Sequence, residues 1–255
     1  MAFGIHGVAL IEPEAGAKTL AKIGDEGDPR ARRLPRIDRM ALVAAKLALG
    51  DTSREGLGLV VGTGWGGLAA TVDFLEGLAV RGPPFGSPTA FHESVHHAPA
   101  GQISIQLGIT GPSLTASARE LSGEASLRSA WDLLESKRAS KVLVVCADEV
   151  VPALVNAYAA FGSKYQPAEG AAALLLGLDS AAVTLKSVKL AAEPARMLQF
   201  SGKAPEDTGL NPSGGLLAVA REVKRLQGET RGGLSAVIET RSLGGAWARV
   251  TLESA

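Results

Sequence analysis

Residues 111–123 read Gly-Pro-Ser-Leu-Thr-Ala-Ser-Ala-Arg-Glu-Leu-Ser-Gly. The pattern predicts a short buried strand, Leu114 to Ala118, and a helix that begins near Ser122. A sharp strand-to-helix turn presents its apex residue to a pocket, at the positive end of the following helix. The apex residue here is Glu120. We therefore expect a candidate site organised around this carboxylate.

Composition indicates a soluble α/β protein that binds neither nucleic acid nor membranes. The chain has 255 residues, 46% of them hydrophobic, and its 26 basic and 26 acidic side chains cancel. A single cysteine excludes an intrachain disulfide and favours a reducing, cytoplasmic setting. The longest apolar run, Ala171 to Leu178, is too short to span a bilayer. We expect one domain, residues 1–255.

The remaining chain alternates between strand-like and helix-like patterns. Predicted strands are 3–11, 57–63, 141–147, 169–178, 183–192, 234–240 and 246–252, and predicted helices are 39–49, 68–78, 100–107, 122–137 and 214–226. This order predicts helices layered on mostly parallel sheets. We expect strand 183–192 to pair with strand 169–178, and Asp38 to cap the first helix.

Two polar features follow predicted strands. The glycine-rich turn 62–67 could cradle a phosphate, but its spacing fits no nucleotide-binding fingerprint, which favours close backbone packing. Asp148 and Glu149 could line a pocket, although solvation is the simpler interpretation. Cys146 lies inside an apolar strand, so we expect an inert core thiol.

Histidines and arginines form two further clusters. The spacing of His92, His96 and His97 admits a zinc site, but no further ligand completes it, and histidines that hydrogen-bond at an interface are the preferred interpretation. The arginines are either a solvated face or a docking site for an acidic partner. They are Arg30, Arg32, Arg33, Arg36 and Arg39.

Several segments occur in the order and spacing of one known family. They are 61–67 (VGTGWGG), 108–113 (GITGPS) with 122–123 (SG), 142–149 (VLVVCADE), 169–176 (EGAAALLL) and 242–246 (SLGGA). Together they resemble the β-ketoacyl synthase family. The resemblance implies a thiolase-like, layered α-β-α-β-α fold, with residues 1–180 as the N-terminal half and 181–255 as a truncated second half. Segment 94–101 (SVHHAPAG) is similar to small synthase-like proteins of aryl polyene and polyketide pathways.

The departures from the family concern its catalytic groups. Aligning the motifs places Glu120 where the family has its nucleophilic cysteine, and a carboxylate is a poor acyl acceptor. The chain has no histidine after His97, and Gly215 stands at one of the family's histidine positions. The closing loop 242–246 is also shorter than the family's. The resemblance therefore implies a protein that does not condense acyl chains, and we expect no catalytic residue, metal or cofactor.

The preferred hypothesis is a chain-length-factor-like subunit that pairs with an active β-ketoacyl synthase and shapes its acyl tunnel. The expected partners are that synthase and, directly or through it, an acyl carrier protein. The resemblance implies a dimer strand made of Leu114, Thr115, Ala116, Ser117 and Ala118. It implies contacts with the partner or the acyl chain at Phe91, His92, His96, Glu120 and Leu121.

Other hypotheses stay open. Glu120 could act as a general base in a malonyl-thioester decarboxylase, assisted by His96 or His97. The simpler alternative is that Glu120 caps its helix or pairs with an arginine. A metal-dependent hydrolase built on the histidines is a third possibility.

Overall fold

The computed structural model describes residues 2–24, 29, 31–160, 167–192, 214–229, 232–242 and 246–255. Its strands are β1 (Phe3–Ile11), β2 (Leu57–Gly62), β3 (Ser113–Ala116), β4 (Lys141–Asp148), β5 (Gly170–Gly177), β6 (Val183–Ala192), β7 (Ser235–Arg241) and β8 (Ala246–Ser254). Its α-helices are α1 (Arg36–Leu49), α2 (Leu68–Arg81), α3 (Pro88–Ser94), α4 (Ala98–Leu107), α5 (Ser122–Glu135), α6 (Pro152–Ala160) and α7 (Gly214–Gln227).

The strands form one mixed sheet in the order β3-β2-β4-β5-β1-β6-β8-β7. Only β2, β3 and β4 run parallel to one another, whereas every other neighbouring pair is antiparallel. The expectation of mostly parallel sheets is therefore wrong. The expected pairing of β6 with β5 is also wrong, because β6 hydrogen-bonds to β1 and β8. The link from β1 to β6 is short, with two residue pairs, Phe3 with Leu185 and Gly4 with Thr184.

The helices cover both faces of the sheet. Helices α1 and α4 pack on one face with inward residues of β2, β4 and β5, and α5 and α7 pack on the other. Helix α7 contacts β5 and β1 as well as β6, β7 and β8. Neighbouring strands lie about 4.8 Å apart, and a helix is only about 10 Å wide. A flat sheet would bring only a few strands against α7, so the sheet must curl around this helix for all five strands to contact it.

Helices α5 and α7 thus lie between the strands of the first half and those of the second. The described residues build alternating layers of helix and strand, in which the second half supplies only α7 and the strands β6, β7 and β8. This arrangement confirms the predicted layered α/β fold. No described helix is long and apolar enough to cross a bilayer.

Two local predictions are wrong for identifiable reasons. Helix α1 begins at Arg36 after Pro35, and Asp38 makes no capping hydrogen bond because it is buried in the first turn. Strand β3 is not buried, since it lies at the end of the sheet, and Leu114 is 44% exposed. Cys146, by contrast, is fully buried as expected.

Candidate functional site

The strand-to-helix turn exists as the sequence predicts, and Ser122 holds it together. Strand β3 ends at Ala116, and Arg119 adopts a left-handed backbone conformation with φ of 50°. The buried Ser122 Oγ accepts a hydrogen bond from the Ala118 amide at 2.9 Å and donates one to the Arg119 carbonyl at 2.7 Å. These bonds close a tight loop that holds Glu120 at the apex, immediately before α5.

Glu120 is half-buried, and its Oε2 atom is enclosed with no hydrogen-bond partner. No side chain caps α5, and no ion pair joins Glu120 to Arg119 among the described residues, whereas pairing with an arginine of a partner stays a prediction. Leu121, the next residue, is 5% exposed and packs into the protein. The apex thus presents a carboxylate with an unused oxygen.

Tyr158 is close enough to Glu120 to respond to its charge, and the sequence did not indicate this proximity. Burial raises the pKa of the Tyr158 phenol, and the negative charges of Glu120 and Asp148 raise that pKa further. The Tyr158 and Trp65 rings meet edge to face with centroids 6.4 Å apart. Tyr158 lies on α6, whose residues are all at least partly exposed. Nothing in the local sequence around α6 indicates its proximity to residue 120.

The glycine-rich turn binds a carboxylate of the protein itself. Asp148 Oδ1 accepts hydrogen bonds from the Thr63 hydroxyl at 2.8 Å and from the amides of Gly64 and Trp65 at 2.9 and 3.0 Å. The amides that could cradle a phosphate are therefore already used. Glu149 likewise accepts a hydrogen bond from the Ala69 amide. The expectation that Asp148 and Glu149 are solvated is wrong, because their exposures are 0% and 1%.

The same turn packs against the segment that carries the three histidines. A Cβ atom on Gly66 would lie 3.0 Å from the His96 ring, so glycine is needed there both for this contact and for its φ of 61°. His92 and His97 are exposed, and His97 directly precedes α4. Within the described part of the chain, no histidine, cysteine or carboxylate cluster is arranged to hold a metal ion.

Three other predicted contact residues, Phe91, His92 and His96, lie on the segment that precedes α4. The Phe91 ring packs on Phe74, with centroids 5.4 Å apart, and Phe91 is 57% exposed. Among the described residues, no hydrogen bond or ring contact joins Phe91, His92 or His96 to Glu120. These residues belong to α3 and the turn after it, beside α4, and α4 in turn contacts β3.

Strand β3 leaves one sheet edge open. It pairs with β2 alone, so its other backbone edge faces away from the described sheet. Large apolar side chains are exposed on this strand and on the helices beside it. We call this the β3 edge surface, and it consists of Phe91, Ile105 and Leu114.

A side chain at position 215 would require the Glu124 carboxyl group to move. A Cβ atom on Gly215 would overlap the carboxyl carbon and both oxygens of Glu124, which lies in the first turn of α5. The glycine at this position therefore fits a carboxyl group that reaches across from another helix. Residue 213 and residues 243–245 of the closing loop lie outside the described part of the chain.

A second set of buried charges lies at the start of α1. Arg36 is bound to the buried carboxylate of Glu169, and this ion pair raises the pKa of Arg36. Burial raises the pKa of Asp38 to about 7, and the charges of Glu93 and Glu149 add to that rise. Arg36 is thus half-buried and bound to an interior carboxylate, whereas Arg32 and Arg33 are exposed on the surface. Arg30 lies outside the described residues.

The geometry is that of a strand-to-helix elbow with a carboxylate at its apex, next to an open strand edge. The family model for the beta-ketoacyl synthase N-terminal domain matches residues 29–230, well over half of the chain. The chain belongs to the beta-ketoacyl synthase family. No curated protein sequence is significantly similar to it.

Solved structures of ketosynthases share the fold along the whole chain. The ishigamide ketosynthase/chain length factor superposes with a TM-score of 0.80 at 19% identity, covering 100% of this chain and 99% of that one. AntDE in complex with AntF, a type II PKS acyl-carrier protein with its hexaketide-bound ketosynthase, gives a TM-score of 0.82 at 15% identity, with coverages of 100% and 99%. The ketosynthase ApeO in complex with its chain length factor ApeC, from Xenorhabdus doucetiae, gives 0.71 at 19% identity, with coverages of 99% and 99%. These similarities confirm the thiolase-like fold.

Proposed function

We propose that this protein is a non-catalytic, chain-length-factor-like subunit that pairs with an active β-ketoacyl synthase in polyketide- or fatty-acid-type biosynthesis. The observation that carries the proposal is the intact elbow with Glu120 at its apex, where the resemblance places a nucleophile. The similar structures support it, because two of them contain a chain length factor and one contains an acyl-carrier protein. We propose that the chain acts as one domain in the cytoplasm.

The chemistry of the site argues against condensation. A carboxylate that accepted an acyl group would form a mixed anhydride, which is far more labile than a thioester. The four histidines all lie at or before residue 97, so none can occupy position 215. The Glu124 carboxyl group also fills the space that a side chain at position 215 would need. The protein would therefore act through binding.

We propose that the β3 edge surface binds the synthase. A free strand edge offers backbone donors and acceptors for strand addition, and neighbouring apolar side chains supply buried area. In this proposal Leu114 to Ala118 face the partner, together with Phe91, His92 and His96. Glu120 and the buried Leu121 would contact the end of the acyl tunnel. An acyl carrier protein would bind this complex, directly or through the synthase.

Co-expression with a β-ketoacyl synthase encoded beside it tests the pairing. We expect a one-to-one complex by size-exclusion chromatography with light scattering. Leu114→Lys should weaken that complex at least tenfold, because it places a charge in the buried interface. Val237→Lys is the matched control, since Val237 is 56% exposed on β7, the opposite edge of the sheet. A stable lone monomer, or equal effects of the two substitutions, would contradict the proposal.

A second candidate function is malonyl-thioester decarboxylation with Glu120 as a base. The enclosed Oε2 of Glu120 and the nearby Tyr158 favour it. When carbon dioxide leaves the malonyl group, an enolate remains, and Glu120 could take a proton from water and deliver it to the enolate carbon. Incubation with malonyl-carrier protein should then release carbon dioxide, and Glu120→Gln should abolish that release. Turnover that survives Glu120→Gln would eliminate this candidate.

A further inference from the structure

The N-terminal ends of two helices meet behind the elbow. A Cβ atom on Gly123, in α5, would lie 2.7 Å from the backbone nitrogen of Leu216, in α7. The Glu124 side chain leaves α5 at this junction and lies over Gly215, so closely that even a methyl group there would overlap it. Gly123 thus lets the two helices approach closely, and Gly215 leaves the space that the Glu124 carboxyl group fills.

Glu124 occupies this space without the usual compensation for a buried acid. It is 1% exposed, and neither carboxylate oxygen has a hydrogen-bond partner within ordinary distance. Burial raises its pKa, and weak hydrogen bonds from the Thr240 side chain and from its own backbone amide oppose that rise only in part. A buried carboxyl group that is so weakly compensated destabilises a protein by about 1–3 kcal/mol, and more when it is charged. A contribution to stability therefore does not explain why the Glu124 carboxyl group is buried here.

Capping of α5 does not supply the reason. The helix has no side-chain capping bond, and the elbow is held by Ser122. We infer that the Glu124 carboxyl group is a built-in occupant of the α5–α7 junction that closes this space to ligands and to any side chain from α7. This inference concerns the inside of the chain and is independent of whether the β3 edge surface binds a partner.

A double-mutant cycle on the full chain tests the occupancy. Gly215→Ala should lower the melting temperature strongly in the natural protein, because its methyl group meets the Glu124 carboxyl group. In a Glu124→Ala background the same change should cost little, since the space is then free. In a Glu124→Gln background, which keeps the side-chain volume, Gly215→Ala should lower the melting temperature as much as in the natural protein. Equal costs of Gly215→Ala in all three backgrounds would overturn the inference.

Filling the vacated space provides an independent readout. Glu124→Ala removes a CH₂–COOH group, which has the heavy atoms of acetic acid. At about pH 5, where part of the acetic acid is uncharged, added acetate should raise the melting temperature of Glu124→Ala in a saturable way. Leu127→Ala is the matched control, because Leu127 is fully buried one turn further along α5 in an apolar cluster.

The natural protein and Leu127→Ala should show no saturable acetate effect. An equal effect on all three proteins would indicate a general solvent effect and refute the occupancy. If Glu124→Ala does not yield folded protein, Glu124→Val, which also lacks the carboxyl group, replaces it in both experiments. The mutant cycle and the acetate effect are measured on the isolated chain, so they test the occupancy alone. Binding of the synthase by the same variants is a separate measurement, which tests the proposed function.

Discussion

Replacing Asp38 by asparagine should make the stability of this protein less dependent on pH. Asp38 is 1% exposed in the first turn of α1, and neither carboxylate oxygen has a hydrogen-bond partner. Burial, with the charges of Glu93 and Glu149, raises its pKa from 3.8 to about 7. Asparagine has nearly the same shape and cannot ionise, so it isolates the contribution of the charge.

The sign and size follow from proton linkage. Between about pH 4 and pH 7 the unfolded chain loses the Asp38 proton while the folded chain keeps it, so the free energy of unfolding falls as the pH rises. At about 1.4 kcal/mol per pKa unit, the shift of roughly three units corresponds to a total loss of about 4 kcal/mol. About 3 kcal/mol of that loss lies between pH 5 and pH 8.

Urea denaturation at pH values from about 5 to 8 measures the effect. The stability of Asp38→Asn relative to the natural protein should rise by about 3 kcal/mol across this range. Any fixed cost of burying the amide is the same at every pH and cancels in the comparison. Asp132→Asn, which alters an exposed carboxylate of α5, is the control. A stability difference between Asp38→Asn and the natural protein that does not change with pH would refute the reasoning.

Three further predictions concern the site and the core. Asp148→Ala should destabilise the protein by about 3 kcal/mol or more in denaturation experiments, because it leaves three donors of the glycine turn without their acceptor. Glu120→Gln should lower the pKa of the Tyr158 phenol in a spectrophotometric titration, and an unchanged value would mean that the two side chains are not close. Phe3→Ala should cost about 3–5 kcal/mol, since Phe3 is 1% exposed and packs edge to face on Trp131 with centroids 4.6 Å apart.

The fold was largely predictable because its strands and helices are encoded locally. The continuous apolar run from residue 141 predicts a strand buried on both faces, and β4 spans Lys141–Asp148 in the centre of the sheet. Strand β6 has the predicted bounds, Val183–Ala192. The pairing of β6 was not predictable in the same way, because β1, its partner, lies about 180 residues earlier in the chain.

The candidate site was predictable only in its backbone. Residues 111–123 indicate the turn and its apex, since the signals are adjacent in sequence. Asp148 can be buried because it accepts hydrogen bonds from donors that lie 83 to 85 residues earlier in the chain. The local sequence does not indicate these donors, so it predicts a solvated carboxylate at the end of the strand. The proximity of Tyr158 to Glu120 joins residues 38 positions apart in the chain, and no local sequence pattern around α6 indicates it.

The fit between Glu124 and Gly215 constrains how this lineage can change. A mutation that adds any side chain at position 215 meets the Glu124 carboxyl group, and a mutation that removes that group first leaves a void between two helices. Either substitution alone should therefore lower the free energy of unfolding, and the second substitution should restore it. A side chain at position 215 is therefore accommodated most easily together with a change at Glu124, so we expect the residues at these two positions to vary jointly.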